Sequence, residues 1–221
     1  MNWTPNKVTL LRVAIGFLAV GAFGHGAWMN LLGVALTVAA IALDALDGHL
    51  ARVKKMATPV GAQLDILGDR MIENMFFTYF AVVGVVSLWL PILFFARGAA
   101  TDFLRALALK AGHSGWGAGA MLQSDLARSL VASRWSRGLY AVMKCVCFCY
   151  MGLELALTQA LPGPVSLDTT AAIRAGAQTL AWITGAFCVL RAVPVLVEGW
   201  KLFLEQLVAG TPRSQTHGGE Q

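Results

Sequence analysis

Charge is scarce in this chain. Asp, Glu, Lys and Arg make up 13% of its 221 residues, about half the ~25% of an ordinary soluble domain. Hydrophobic residues make up 57%, and the mean hydropathy is +0.64. That balance excludes a water-soluble globular protein. Cysteine and histidine are also few, at four each. Cys145, Cys147 and Cys149 alternate along one predicted helix, so Cys147 points roughly away from the other two. With Cys188 they read as small apolar fillers or free thiols. His25, His49, His113 and His217 are scattered without ligand spacing, which argues against a zinc site. No A-x-A-like site follows the first apolar run, so no cleavable signal peptide is expected. There is no internal repeat.

Apolar runs fill most of the chain. About six spans of roughly 20 residues each account for its length as one domain. The expected fold is an all-α integral membrane protein, a bundle of about six transmembrane helices over residues 1–208, followed by a polar, disordered tail at 209–221. Trp3 suits the headgroup level. Spans are placed at 7–24, 29–47, 61–88, 91–109, 138–160 and 175–198, the last with room to continue to Leu207. Thr58-Pro59 is a break that can also start a helix, Leu90-Pro91 marks a turn, and Pro162-Gly163-Pro164 begins another that carries Asp168 and Arg174. Residues 110–137 are less apolar and include Lys110, Arg128, Arg134 and Arg137.

Basic residues are retained on the cytoplasmic side. The links near 25 and 90 have no Lys or Arg and the link near 168 has Arg174 alone, whereas 52–55 and 110–137 are basic. Both termini are therefore expected in the cytoplasm. The net charge of +5 belongs mostly to that side. Topology and anionic membrane lipids account for most of it, and no nucleic-acid partner is expected.

Four acids stand out against this background. Asp44 and Asp47 are three apart and Asp65 and Asp69 four apart, so each pair lies on one helical face at the end of an apolar run. An unpaired charge there costs on the order of 2.5 kcal/mol even on lenient insertion scales, so a compensating cation is called for. Four carboxylates without a Cys or His cluster suit Mg²⁺ or Mn²⁺. Gly48, Ala51 and Gly61 are small enough to let helix backbones or a flat ligand approach.

The pattern D-x2-D-G-x2-A-R-x8-G-x3-D-x3-D, filled by Asp44, Asp47, Gly48, Ala51, Arg52, Gly61, Asp65 and Asp69, resembles the signature of the CDP-alcohol phosphotransferases. Pro5-Asn6, Thr9 and Arg12 resemble the P-N-x-x-T-x-x-R opening common in these enzymes. The resemblance implies that Asp44, Asp47 and Asp65 are metal ligands, with two ions as the expected cofactor. It implies that Asp69 takes the proton from the acceptor hydroxyl while also touching a metal. Gly48, Ala51, Arg52 and Gly61 would then line the cytidine and diphosphate pocket, with Arg52 available to the phosphates. Asn6, Thr9 and Arg12 follow at three-residue steps and can share a face toward that pocket; the alternative for Arg12 is a plain topology anchor.

The acceptor is read from weaker signals. Arg97, Arg105 and Arg137 stand where members that use a phosphorylated alcohol keep basic residues. F-F-A-R-G-A-A-T-D-F-L-R resembles the A-R-E-x5-L-R stretch of phosphatidylglycerophosphate synthases, with Gly98 in place of Glu. L-D-I-L-G-D-R also fits inositol-phosphate-type members, so the acceptor stays open between sn-glycerol 3-phosphate, the best match, and inositol phosphate, inositol or serine. Arg97 inside a span calls for a site or an acid, and Asp102 and Glu73 are the candidates.

The resemblance thus implies transfer of a phosphatidyl group from CDP-diacylglycerol to a small alcohol with release of CMP. It further implies a homodimer, seated in a bacterial inner membrane with its active site facing the cytoplasm. A cation or proton transporter is the competing class. It is disfavoured because the acids cluster at one membrane face beside Gly48 and Arg52.

Overall fold

A computed structural model describes residues 5–53, 59–110, 131, 133–160 and 167–209. Among these residues there are six helices and no strand: α1 (Pro5–Ala22), α2 (Ala27–Val53), α3 (Pro59–Val82), α4 (Trp89–Lys110), α5 (Arg134–Ala160) and α6 (Leu167–Ala209). Trp3, the tail from residue 210, the Pro162-Gly163-Pro164 turn and most of the basic 110–137 segment lie outside the described residues.

Each expected span has a helix, with shifted ends. α2 continues past Asp47 to Val53, so Gly48, Ala51 and Arg52 are helical rather than part of a connection. Pro59 opens α3, where its missing N–H has no intrahelical partner to lose. The α3–α4 turn comes earlier than Leu90-Pro91. It falls at 83–88 around Gly84, whose φ of 79° suits a residue without Cβ, and Pro91 sits in the first turn of α4. α6 begins at Leu167 rather than near 175, so Asp168 and Arg174 are helical, and it runs on to Ala209.

Ala27–Asp44, Trp135–Gln159 and Asp168–Leu204 are long and apolar enough to cross a membrane. The helices outside that set carry Arg12 (α1), Asp65, Asp69, Arg70 and Glu73 (α3), and Arg97, Asp102 and Arg105 (α4). The protein is an all-α membrane protein, and its exposed surface is accordingly apolar, with Leu18, Trp28, Phe95, Val142 and Ile183 all exposed.

α1 packs on α2 and α3, α4 on α3 and α6, and α5 on α2 and α6. Rings fill the centre: Phe77 stacks on Phe94 at 4.1 Å between centroids, and Phe76 lies 4.8 Å from Phe148. Phe23 wedges between α2 and α5, and a Cβ at either Gly33 or Gly152 would come within 2.7 Å of its ring. At the same end, Asn30 Oδ1 accepts from the Gly24 N–H at 2.7 Å, while Gln159 Oε1 accepts from the Gly26 N–H and from Asn30 Nδ2. These bonds satisfy backbone N–H groups of the α1–α2 turn that have no helical partner. α6, 43 residues long, extends about 64 Å, twice the ~30 Å of a hydrocarbon core. Beyond Pro194 it forms a second small core, with Val195, Leu196, Leu202 and Phe203 against Leu104, Ala108 and Val131.

Candidate active site

Three helices bring one charge cluster together. Arg12 on α1 is 1% exposed, and its guanidinium points between α2 and α3. Nη1 pairs with Asp44 Oδ1 and, at 3.1 Å, with Asp69 Oδ1. Nη2 donates to Asp65 Oδ1 at 2.7 Å and to the Asp65 backbone carbonyl at 3.0 Å. Asp44, Asp65 and Asp69 each offer a carboxylate oxygen within 4.8 Å of the others.

Gly68 makes this approach feasible. A Cβ there would meet Val13 Cγ2 at 3.1 Å, Arg12 Nη2 at 3.2 Å and Thr9 Cγ2 at 3.3 Å. Its bare backbone lets α1 settle on α3 so that Arg12 passes beside it to both α3 acids. Thr9 is buried at that contact, and Asn6 lies half-buried one turn earlier on α1. Gly61 lies half-buried in the first turn of α3. Asp47, Gly48, Ala51 and Arg52 lie on the last turns of α2, but their side chains are outside the described residues.

A second cluster adjoins the first through Arg70, the residue after Asp69. Arg70 holds Asp102 on α4 at two points, Nε to Oδ2 at 3.1 Å and Nη2 to Oδ1 at 3.3 Å, and its Nη1 donates to Glu73 Oε2 at 3.2 Å. Glu73 is 2% exposed and also accepts a short hydrogen bond from the Tyr140 hydroxyl, with the Lys144 ammonium at 3.7 Å. Gly98 again provides room: a Cβ there would lie 3.3 Å from Arg70 Cδ and 3.4 Å from its Nε. The position that departs from the synthase-like pattern is therefore where Arg70 crosses α4.

The predicted acceptor residues divide. Both acids considered for Arg97 are held by Arg70, and the buried Arg97 Nε has no hydrogen-bond acceptor. Arg105 Nη1 lies 3.8 Å from Asp102 Oδ1 and so joins the cluster. Arg137 is exposed at the start of α5. Arg191 on α6 caps the group, donating to the Ser136 carbonyl at 2.8 Å with its guanidinium 5.1 Å from the centre of the Tyr140 ring.

Gly68, Arg70, Glu73, Tyr140, Lys144 and Arg191 were not predicted from sequence as site residues. For Arg70 and Glu73 a signal existed: they are three apart on a helix, directly after the acid pair. Tyr140, Lys144 and Arg191 enter from distant helices, and no local pattern marks them. The three thiols of α5 behave as their alternation predicts, with Cys147 buried and Cys145 and Cys149 half-buried.

The acidic group fits a hard divalent ion. Its donors are all carboxylate oxygens on two helices, and one oxygen of each lies within 4.8 Å of the others. Asp44, Asp65 and Asp69 are the described residues that would hold it.

Helical architecture and apolar surface together define an all-α membrane protein that carries an acidic and a basic cluster side by side. The chain matches the CDP-alcohol phosphatidyltransferase family over residues 2–160 and belongs to that family, a family of phospholipid-biosynthetic transferases. It is similar to the CDP-diacylglycerol--glycerol-3-phosphate 3-phosphatidyltransferase of Cereibacter sphaeroides, with 36% identity over 73 residues. That match covers 32% of this chain and 33% of the relative, about a third of each.

Proposed function

We propose that the protein transfers the phosphatidyl group of CDP-diacylglycerol to the free hydroxyl of a small phosphorylated alcohol, sn-glycerol 3-phosphate, and releases CMP. The observation that carries this reading is the convergence of Asp44, Asp65 and Asp69 beside a cationic cluster. Family membership and the partial likeness to a glycerol-3-phosphate phosphatidyltransferase support it.

In this reading Asp69 accepts the proton of the acceptor hydroxyl. The hydroxyl oxygen forms a bond to the phosphatidyl phosphorus, the bond from that phosphorus to the CMP oxygen breaks, and CMP departs with the electron pair. Mg²⁺ or Mn²⁺, as two ions held by Asp44, Asp47, Asp65 and Asp69, would neutralise charge on the attacking and leaving oxygens. Asn6, Thr9, Gly48, Ala51, Arg52 and Gly61 shape the cytidine and diphosphate side.

Arg97, Arg105 and Arg137 serve the acceptor, joined by Arg70, Lys144 and Arg191. Around Glu73 and Asp102 stand five cationic side chains, Arg70, Arg97, Arg105, Lys144 and Arg191. Two acids leave that group strongly positive. A phosphomonoester, carrying about −1.5 to −2 at neutral pH, compensates it, whereas inositol has no charge and serine is a zwitterion. The site faces the cytoplasm of a bacterial inner membrane, and the protein works as a homodimer.

The test is CMP release by purified protein given CDP-diacylglycerol, Mg²⁺ and one acceptor at a time: glycerol 3-phosphate, inositol phosphate, inositol or serine. Release driven by glycerol 3-phosphate above the other three is expected. Preference for any of the other three would overturn the acceptor assignment, and preference for an unphosphorylated one would also overturn the charge argument.

A further inference from the structure

Arg12 does more than line a nucleotide pocket or anchor a helix. A topology anchor snorkels to water, but Arg12 is 1% exposed. Its two terminal nitrogens are committed to the acidic group: Nη1 to Asp44 and Asp69, Nη2 to the side chain and carbonyl of Asp65. Its Nε, also buried, has no acceptor. The fork geometry matters, because a guanidinium can serve three carboxylates from two nitrogens while an ammonium acts as a point charge.

Three carboxylates within 4.8 Å of one another repel unless a cation lies among them. Arg12 supplies that cation from the chain itself. A divalent ion held by the same three carboxylates would lie within a few ångströms of that fixed positive charge.

We propose that Arg12 is the built-in counter-ion of the acidic centre, holding Asp44, Asp65 and Asp69 together and competing with the divalent ion for them, so that it sets the metal affinity of the site. This inference rests on the proposed metal role of these acids. Gly68 belongs to the same device, since its bare backbone leaves room for Nη2 to reach Asp65.

The experiment is a Mn²⁺ titration of the purified full chain in detergent, followed by electron paramagnetic resonance of free Mn²⁺, together with melting temperatures in EDTA and in Mn²⁺. Arg12→Met is expected to bind Mn²⁺ about tenfold tighter or more, since a unit positive charge is removed a few ångströms from a doubly charged ion. It is also expected to melt lower than wild type in EDTA and to regain most of that loss in Mn²⁺. Arg12→Lys, which keeps the charge but not the fork, is expected to fall between wild type and Arg12→Met in affinity. Unchanged or weaker Mn²⁺ binding by Arg12→Met, with wild type binding normally, overturns the Arg12 inference alone. If wild type binds no Mn²⁺, the metal reading itself fails and takes this inference with it. Should Arg12→Met not fold, Arg12→Gln prepared in Mn²⁺ takes its place. If neither folds even in saturating Mn²⁺, the proposal is overturned, because the metal then cannot substitute for the guanidinium.

Discussion

Arg70 on α3 closes a two-point hydrogen bond on Asp102 of α4, at 3.1 and 3.3 Å, and its side chain passes over Gly98 one turn before that acid. The two helices therefore share a half-buried polar contact in which the Arg70 side chain fills the space that a Cβ at position 98 would enter. Gly98→Leu is expected to push Arg70 off Asp102 and cost about 1–3 kcal/mol, as overpacking does. Denaturation in detergent and the KM for the acceptor would register it, the first falling in midpoint and the second rising. Gly98→Glu, which restores the synthase-like residue, is expected to do no better, because its carboxylate would compete for Arg70.

Glu73 is the hub of the second cluster. Tyr140, Arg70 and Lys144 all converge on a carboxylate that is 2% exposed. Glu73→Gln removes the charge that compensates two cations and is expected to destabilise the fold by about 3–5 kcal/mol. Tyr140→Phe leaves the acid one donor short and is expected to cost about 1–3 kcal/mol. Thermal melts of the two single variants and the double variant form the check. The double variant is expected to lose less than the sum, because Tyr140 has no charged partner left once Glu73 is gone.

Gly68 tests the α1–α3 contact. Its Cβ direction is closed by Val13, Arg12 and Thr9 at 3.1–3.3 Å. Gly68→Val is expected to force α1 outward, at about 1–3 kcal/mol, and to part Arg12 from Asp65. The expected outcome is a lower melting temperature with a larger proportional loss of CMP release. Equal melting temperatures for variant and wild type would show that the contact tolerates a side chain.

Much of this was legible in the sequence, for physical reasons that differ by residue. The apolar runs located the six helices among the described residues, even the three interrupted by charged residues. Their ends were harder: α2 carries Arg52 and His49 to its last turns, which look like a loop by hydropathy yet remain helical. Asp44, Asp47, Asp65 and Asp69 stood out as two pairs from their spacing along α2 and α3; three of them, Asp44, Asp65 and Asp69, lie together, and the side chain of Asp47 is outside the described residues. Arg12 was predicted to face a nucleotide pocket, and its position among the acids depends on how α1 docks on α3 at Gly68, which no local pattern encodes. The Arg70–Asp102 and Glu73–Tyr140 contacts join separate helices, so single-helix periodicity could not reveal them.

The proposed function has the acidic group on α2 and α3 performing phosphatidyl transfer with a divalent ion. The most direct measurement is CMP release from CDP-diacylglycerol with glycerol 3-phosphate, comparing wild type and Asp69→Asn in Mg²⁺ and in EDTA. Release that requires Mg²⁺ and falls roughly 10²–10⁴-fold in the variant, the usual worth of a general base, is the predicted result. Release by Asp69→Asn at the wild-type rate, or by wild type undiminished in EDTA, would contradict it.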